Sequence, residues 1–195
     1  SLAEIPNFAF LYCQSLRRIV LPDSIKEIGS HAFDGCTGLE EIVLPDSLEI
    51  IGSYAFDGCS GMKTISIPNS VIKIERGAFS DCSALTELII PDSVEAIEDH
   101  FFKGCTSLRH IAVSDGNPKY DSREDCNAII RTADSTLMFA YQKSVIPDTV
   151  KAIGESAFAK CERLNGITIP ASVVLIDKYA FMGCTGLTGI SIPDS

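Results

Sequence analysis

The sequence has no long apolar run and few basic residues. Its longest apolar runs, such as residues 137–141, are about five residues long, whereas a membrane-spanning helix needs roughly twenty. Among its 195 residues, 16 are Lys or Arg and 26 are Asp or Glu, which gives a formal charge of −10. Because a net negative chain is repelled by phosphate backbones and anionic lipids, we expect no nucleic-acid partner and no direct membrane insertion.

Motifs for catalysis and metal binding are also missing. The sequence contains no Cys-x-x-Cys pair, Gly-x-Ser-x-Gly elbow, phosphate-binding loop or His-Glu-x-x-His. We expect His31, His100 and His110 to be solvated surface imidazoles. The sequence therefore predicts a non-enzymatic protein with no cofactor and no metal site. The alternative that stays open is a hydrolytic site built from Asp121, Asp125 and His110.

What the sequence does have is a repeat of 23 residues. Seven cysteines follow this interval: Cys13, Cys36, Cys59, Cys82, Cys105, Cys161 and Cys184. The one longer gap, between Cys105 and Cys161, is 56 residues, which is one period plus 33. Prolines recur at the same spacing, with the same gap, at Pro22, Pro45, Pro68, Pro91, Pro147, Pro170 and Pro193. Two residue types in one phase indicate a stack of short repeats with one insertion.

The aligned repeats give the pattern Leu-x-x-Ile-x-Ile-Pro-Asp-Ser-Val-x-x-Ile-Gly-x-x-Ala-Phe-x-x-Cys, which residues 39–59 match nearly unaltered. The Ile-x-Ile alternation is typical of a short, half-buried strand, and the proline that follows cannot donate to a sheet ladder. Asp-Ser after the proline favours a turn. The spacing of the Val-x-x-Ile-Gly-x-x-Ala-Phe segment fits one tight helical or irregular turn. Because a single repeat has no partner for its apolar face, the repeats must stack, with equivalent residues about 4.8 Å apart.

These motifs resemble the BspA-like, or Treponema-type, leucine-rich repeat family. The resemblance rests on Ile-Pro-Asp-Ser-Val, Ile-Gly-x-x-Ala-Phe and the trailing Cys, in seven units of fixed phase. It implies a right-handed leucine-rich-repeat solenoid with a parallel sheet on one face and short helical or irregular turns on the other. It also implies an extracellular or cell-surface location, mainly in bacteria, and attachment to host proteins, other cells or matrix. The family has no catalytic residues to transfer.

The insertion interrupts the repeats without ending them. We expect one leucine-rich-repeat domain over residues 1–195, with repeats at 1–113 and 147–195 and an inserted module at about 114–146. The stretch from Asn117 to Leu137 is similar to the longer module that the family places among its repeats. From the residues alone, the runs 128–131 and 137–141 predict a β-hairpin.

The cysteines of the repeat are best explained as buried thiols that pack as small apolar residues. Disulfides between neighbouring repeats are the alternative, although side chains that point the same way from parallel strands do not present the usual disulfide geometry. Cys126 lies outside the 23-residue phase. We therefore expect Cys126 to be the most reactive thiol, or else to occupy a packed position of its own.

The outward side chains of the predicted strands form the candidate binding surface. If the Leu and Ile positions point inward, two other positions per repeat point out, and they combine aliphatic with charged side chains before the insertion. The predicted partner-binding residues are Arg18, Val20, Glu41, Val43, Thr64, Ser66, Glu87, Ile89, His110 and Ala112. Exposed Val and Ile also satisfy strand propensity alone, which is the competing interpretation. A second, partly aromatic column is predicted to pack over neighbouring turns, at Phe8, His31, Tyr54, Gly77, His100, Ser156 and Tyr179.

Together, the repeat, the family resemblance and the outward side chains predict an adhesion or protein-interaction module of a bacterial surface or secreted protein. Its expected partner is a host matrix protein, a cell-surface protein or a glycan. The alternative function is a structural spacer in a larger surface protein. Since the repeats lack polar caps, apolar residues such as Leu2 and Ile5 at one end and Ile190 and Ile192 at the other are expected to be exposed. Fraying or end-to-end self-association is the expected result.

Overall fold

The computed structural model describes residues 2–193, which fold into two compact units. The N-terminal unit ends at Arg109 and the C-terminal unit begins at His110. In each unit the chain is a coil of very short strands joined by turns. Within residues 2–193 the single helical element is a 3₁₀ turn at Arg123–Asp125. The expectation of one domain over residues 1–195 stays a prediction.

The N-terminal unit contains two rows of strands. The first row, called here the back strands, comprises β1 (Glu4–Ile5), β3 (Glu27–Ile28), β5 (Ile50–Ile51), β6 (Lys73–Ile74) and β8 (Ala96–Ile97). The second row, the front strands, comprises β2 (Arg18–Val20), β4 (Glu41–Val43) and β7 (Glu87–Ile90). The back strands form one parallel sheet in chain order, and β2 pairs parallel with β4. Every pair joins residues 23 positions apart, such as Ile28 with Ile51, so the sequence period is the register of the sheet.

The front strands follow the predicted alternation. In β4, Glu41 and Val43 are exposed on either side of buried Ile42, and Pro45 ends the segment. Residues 62–68 depart from the prediction, because they form no strand. There Ser66 occupies the outward position that Val43 holds in the preceding repeat, and serine is a poorer strand former than valine.

The back strands are the part of the fold that the sequence analysis did not predict. The Val-x-x-Ile-Gly segments were expected to form helical or irregular turns, but each contains a two-residue strand. The β-branched residues Ile28, Ile51 and Ile74 lie directly beside one another in this sheet and are fully buried. The predicted coil of short, parallel strands is nevertheless present in the structure.

A column of stacked phenylalanines runs through the core of the N-terminal unit. The ring centroids of Phe10, Phe33, Phe56 and Phe79 are 5.1, 5.3 and 5.5 Å apart in succession, with interplanar angles of 4° or less. Phe33, Phe56 and Phe79 are fully buried. Each aromatic pair contributes about 0.5–1.5 kcal/mol beyond the burial of its apolar area. The column therefore stabilises the contact between successive turns.

The C-terminal unit contains the insertion and the last two repeats. Its strands are β9 (His110–Val113), β10 (Tyr120–Asp121), β11 (Ala128–Arg131), β12 (Thr136–Ala140), β13 (Ala152–Ile153), β14 (Gly166–Thr168), β15 (Leu175–Ile176) and β16 (Gly189–Ser191). The predicted hairpin is confirmed, because β11 and β12 pair antiparallel. β12 then pairs parallel with β13, and β13 with β15. The second strand of the hairpin thus takes the place of a back strand, and the repeat resumes beside it.

The phenylalanine column gives a graded test of stability. Phe56→Ala removes a fully buried ring with two stacking partners, so it is expected to lower the free energy of unfolding by about 3–5 kcal/mol. Phe10→Ala is the matched control, because Phe10 is half-buried and stacks on Phe33 at one face; its expected loss is about 1–2 kcal/mol. Urea unfolding followed by circular dichroism measures both. Equal losses for the two variants would contradict a continuous column.

Candidate binding surface

Eight of the predicted binding residues lie in the N-terminal unit and are exposed. We call them the front surface: Arg18, Val20, Glu41, Val43, Thr64, Ser66, Glu87 and Ile89. The aliphatic members are the most unusual, since Val20 is 72% exposed and Val43 is 58% exposed. These two valines are paired neighbours on β2 and β4. They form a small apolar spot that the fold leaves open to solvent.

Charged side chains flank this spot in pairs of opposite sign. The Nε atom of Arg18 lies 3.7 Å from an Oε atom of Glu41, directly across the strand pair. On the adjacent position, the guanidinium of Arg17 lies 2.7 Å from the carboxylate of Glu40. All four side chains are more than half exposed, so each pair adds about 0–1 kcal/mol to stability. Both pairs are therefore available to a partner at little cost to the fold.

The other two predicted binding residues belong to the C-terminal unit. His110 is exposed at the start of β9, whereas Ala112 is half-buried in the same strand. Further along the unit, β14 and β16 place Gly166 beside Gly189 and Thr168 beside Ser191. The outward positions of these two strands carry small side chains, as the sequence predicts. The assignment of all ten residues to partner binding stays a prediction.

The partly aromatic column packs between turns, as predicted. His31 lies between two rings, with its centroid 5.1 Å from that of Phe8 and 5.0 Å from that of Tyr54. Its Nδ1 atom is also 2.9 Å from a carboxylate oxygen of Asp34. The expectation that all three histidines are solvated surface side chains holds only in part for His31, whose side chain is 32% exposed but is stacked between two rings and paired with a carboxylate.

This column also has an unusual backbone, which the sequence analysis missed. Every member adopts the left-handed conformation, with φ between 56° and 64°, at Phe8, His31, Tyr54, Gly77, His100, Ser156 and Tyr179. A left-handed residue that is not glycine costs about 1–2 kcal/mol. The available signal was Gly77, a glycine in a column of mostly large residues. Ring stacking offsets part of the cost where aromatic residues occupy adjacent turns.

Asp57 lies next to this column and has a perturbed carboxyl group. Burial, and after it the negative charges of Asp34 and Asp81, raise the pKa of Asp57 to about 6. Asp34 holds the equivalent position one repeat earlier, so stacking places like charges together.

Within residues 2–193, no group of three or more His, Cys, Asp or Glu side chains is arranged to hold a metal ion. In the same range, no helix is long and apolar enough to cross a membrane.

The cysteines of the repeat form a column of thiols bonded to the backbone. Each buried thiol in the N-terminal unit donates a hydrogen bond to a phenylalanine carbonyl of the preceding turn, 3.1–3.2 Å away, from Cys36, Cys59, Cys82 and Cys105. In the C-terminal unit, Cys161 is also buried, and its thiol donates to the carbonyl of Ala140. The prediction of buried thiols is confirmed for these five residues.

Burial makes the buried thiols poor nucleophiles. It raises the pKa of Cys36 to about 11 and that of Cys105 to about 12, and the pKa of Cys59 rises further still. Since the thiolate is the reactive form, these groups are inert near neutral pH.

The prediction that Cys126 is the most reactive thiol is wrong. Cys126 is fully buried between the 3₁₀ turn and β11, and its thiol donates to the carbonyl of Ala128. Burial raises the pKa of Cys126 to about 11. The exposed thiol is instead Cys13, in the first repeat, while Cys184 in the last repeat is half-buried.

The repeats match a known family model over most of the chain. The model describes the BspA-type leucine-rich repeat region, and it matches in six copies over residues 3–123 and 138–195. The chain belongs to the BspA-type leucine-rich repeat family. The resemblance stated from the sequence and the predicted fold class, a leucine-rich-repeat solenoid with parallel strands, are thereby confirmed. No curated protein sequence matches this BspA-type chain.

Solved structures of bacterial leucine-rich repeat proteins are similar to this BspA-type chain. The pneumococcal vaccine antigen PcpA is 27% identical with a TM-score of 0.76, and the match covers 90% of this chain and 50% of the antigen. The T. pallidum leucine-rich repeat protein is 30% identical with a TM-score of 0.64, covering 95% of this chain and 72% of that protein. A leucine-rich cell surface protein of Faecalibacterium prausnitzii is 26% identical with a TM-score of 0.59, covering 98% and 65%. The chain thus spans about half the length of the pneumococcal antigen.

Thiol labelling tests the arrangement of the cysteines. In the native protein near neutral pH, iodoacetamide is expected to modify Cys13 rapidly, Cys184 slowly, and the buried cysteines only after unfolding. Mass spectrometry of digests taken over time identifies each labelled site. Cys13→Ser serves as the control, because it should remove the fast phase alone. Rapid labelling of Cys126 in native protein would contradict its burial.

The perturbed carboxyl group predicts a dependence of stability on pH. Because the pKa of Asp57 is raised in the folded state, the wild type loses stability as the pH rises from about 4 through about 6, where Asp57 must ionise. Asp57→Asn avoids this loss, so above about pH 7 the variant is expected to be more stable than the wild type. The expected difference in the free energy of unfolding is about 1–2 kcal/mol, which allows for solvent screening at this half-buried position. Near about pH 4 the two proteins should be equally stable.

Urea unfolding at both pH values measures the difference. Asp46→Asn is the matched control, because Asp46 is exposed and the equivalent position of the next repeat is already Asn69. A gain for Asp57→Asn that is the same at both pH values would contradict the electrostatic explanation.

Proposed function

We propose that this BspA-type chain is a non-enzymatic protein-interaction module that binds a protein partner through its front surface. The observation that carries the proposal is the adjacent, highly exposed pair Val20 and Val43. Exposed aliphatic side chains at paired positions lose water together when a partner covers them.

The arrangement around the valines supports a protein partner. Protein interfaces have an apolar centre and a polar rim, and here the Arg18–Glu41 pair flanks the apolar spot. Ile89, on β7, adds a third aliphatic side chain that is 45% exposed. The front surface therefore combines apolar area with charges of both signs.

The comparisons support an extracellular or cell-surface location. One similar structure is described as a vaccine antigen and another as a cell surface protein. A surface protein of this kind would meet host matrix proteins, other cells or glycans. We place a matrix or cell-surface protein first among partners, because the exposed side chains are aliphatic and flanked by ion pairs.

A structural spacer is the second candidate function. It is favoured by the C-terminal unit, where the outward positions of β14 and β16 carry Gly166, Thr168, Gly189 and Ser191. These small side chains offer a partner little apolar area and no charge. In a spacer, the turns would serve to extend the chain, and the front surface would bind nothing.

The binding proposal is tested by changing the aliphatic side chains together. The triple variant Val20→Asp, Val43→Asp and Ile89→Asp is expected to lose at least about tenfold in affinity, since buried carboxylates would replace buried methyl groups. Binding is measured on a panel of extracellular matrix proteins and on an array of cell-surface glycans.

Ile72→Asp provides the control variant. Ile72 is an aliphatic residue of the same unit and is 43% exposed, but it precedes a back strand. It should bind as the wild type does, and circular dichroism should show both variants folded. If the wild type binds a matrix protein and the triple variant binds equally well, the front surface is not the site. Absence of binding to every probe would favour the spacer.

A further inference from the structure

The row of front strands is interrupted in the middle of the N-terminal unit. β4 ends at Val43 and β7 begins at Glu87, and residues 62–68, in the repeat between them, form no strand. The carbonyl of Lys63 accepts hydrogen bonds from Thr86. Otherwise, among residues 2–193, the amides of residues 63–67 have no acceptor and the carbonyls of residues 64–67 have no donor. This segment is therefore the least constrained part of the front surface.

The outward side chains around the interruption enclose a gap. Val43 and Ile89 hold the same repeat position two turns apart, and they are 58% and 45% exposed. In the turn between them, that position is held by Ser66, whose side chain is shorter than valine. Successive turns are about 4.8 Å apart, so the backbones that carry the two aliphatic side chains are about 9.6 Å apart. The gap lined by Val43, Ser66 and Ile89 is called here the serine notch.

The width of the serine notch fits one flat ring. Apolar carbon atoms touch at about 3.5–4.0 Å, so a ring between two aliphatic walls needs about 7–8 Å from wall to wall. Branched side chains on backbones about 9.6 Å apart leave about this width. A flat ring presents a face to each wall, and aromatic side chains bury more apolar area than aliphatic ones. The notch therefore favours an aromatic side chain of the partner.

The floor of the serine notch can adjust to such a ring. Ile65 is half-buried, whereas Ile42 and Leu88, which hold the same position in the turns before and after, are 7% and 0% exposed. The looser packing of Ile65 agrees with the missing backbone hydrogen bonds of its segment. A small shift of residues 62–68 therefore breaks few contacts.

An exposed cation lies at the start of the same segment. Lys63 is exposed, and within residues 2–193 its ammonium group forms no ion pair. Arg17, in the same position two repeats earlier, is paired with Glu40 at 2.7 Å. Since the formal charge of the chain is −10, a lysine without a carboxylate partner is unusual on this surface. Charge complementarity therefore favours an acidic group in the partner near Lys63.

The spacing of the notch and the cation suits an extended chain. Lys63 precedes Ser66 by three residues, which is about 10 Å along an extended backbone. In an extended partner, side chains on one face recur every second residue, about 6.6 Å apart. The flexible lysine side chain covers the remaining distance.

From these observations we infer that the front surface binds an extended polypeptide segment through an aromatic side chain and a nearby carboxylate. The ring enters the serine notch between Val43 and Ile89. The carboxylate lies two residues from the ring, on the same face of the segment, and pairs with Lys63. This inference rests on the proposed function, because it specifies what the front surface recognises. Ser66 determines the specificity, since a larger side chain there closes the notch.

Ser66→Val tests the notch. Valine holds the same position in the preceding repeat and favours a strand, so the variant should fold at least as stably as the wild type while its side chain fills the gap. Ser66→Ala is the first control, because it leaves the notch open. Thr64→Val is the second control, because it adds the same strand propensity to the same segment outside the notch. Circular dichroism and urea unfolding compare the folding of all three variants.

A library of displayed random peptides provides the probe. Selection on the wild type is expected to enrich peptides with an aromatic residue two positions from Asp or Glu. Synthetic copies of these peptides should bind Ser66→Val at least about tenfold more weakly than the wild type, because the ring has no space to enter. They should bind both control variants within about twofold of the wild type. Lys63→Gln should weaken binding about two- to fivefold at low salt, and added salt should reduce this difference.

The triple front-surface variant separates this inference from the proposed function. Enriched peptides that bind Ser66→Val as tightly as the wild type, but lose affinity for the triple variant, would overturn the inference and leave the proposed function standing. Enriched peptides without an aromatic residue, or a selection that enriches nothing, would also overturn the inference. Enriched peptides that bind both Ser66→Val and the triple variant normally would count against the inference and the proposed function together.

Discussion

The structure depends on one constraint, which is that every turn must stack on a copy of itself at the spacing of paired strands. Equivalent residues lie about 4.8 Å apart, so each position has to tolerate its own counterpart in the next repeat. Phenylalanine and isoleucine satisfy this requirement by stacking and pairing, and the thiols do so by bonding to the turn before. Charged positions satisfy it by alternating in sign, as Lys26 does with Glu49 at 2.7 Å. Asp34 and Asp57 do not alternate, and the negative charge of Asp34 adds to burial in raising the pKa of Asp57.

The same constraint explains what the sequence could predict. Because parallel strands of adjacent repeats pair residues 23 positions apart, the spacing of cysteine and proline was enough to pair residues such as Val20 with Val43. The hairpin was also predictable, since its two strands are long enough to show a pattern. The back strands were not, because two residues such as Ile50–Ile51 cannot display an alternation. The left-handed positions were missed because they are backbone features, and five kinds of side chain occupy one such column.

The sequence predicted which residues of the candidate site are exposed, but it could not show whether they bind a partner. Alternation along the front strands identifies the outward side chains, and eight of the ten proposed residues lie exposed in one unit. A valine favours a strand whether or not a partner covers it, so the pattern alone cannot distinguish a binding residue from a strand former. The environment of Cys126 shows the same limit. It is outside the repeat phase, yet packing within the insertion buries it completely.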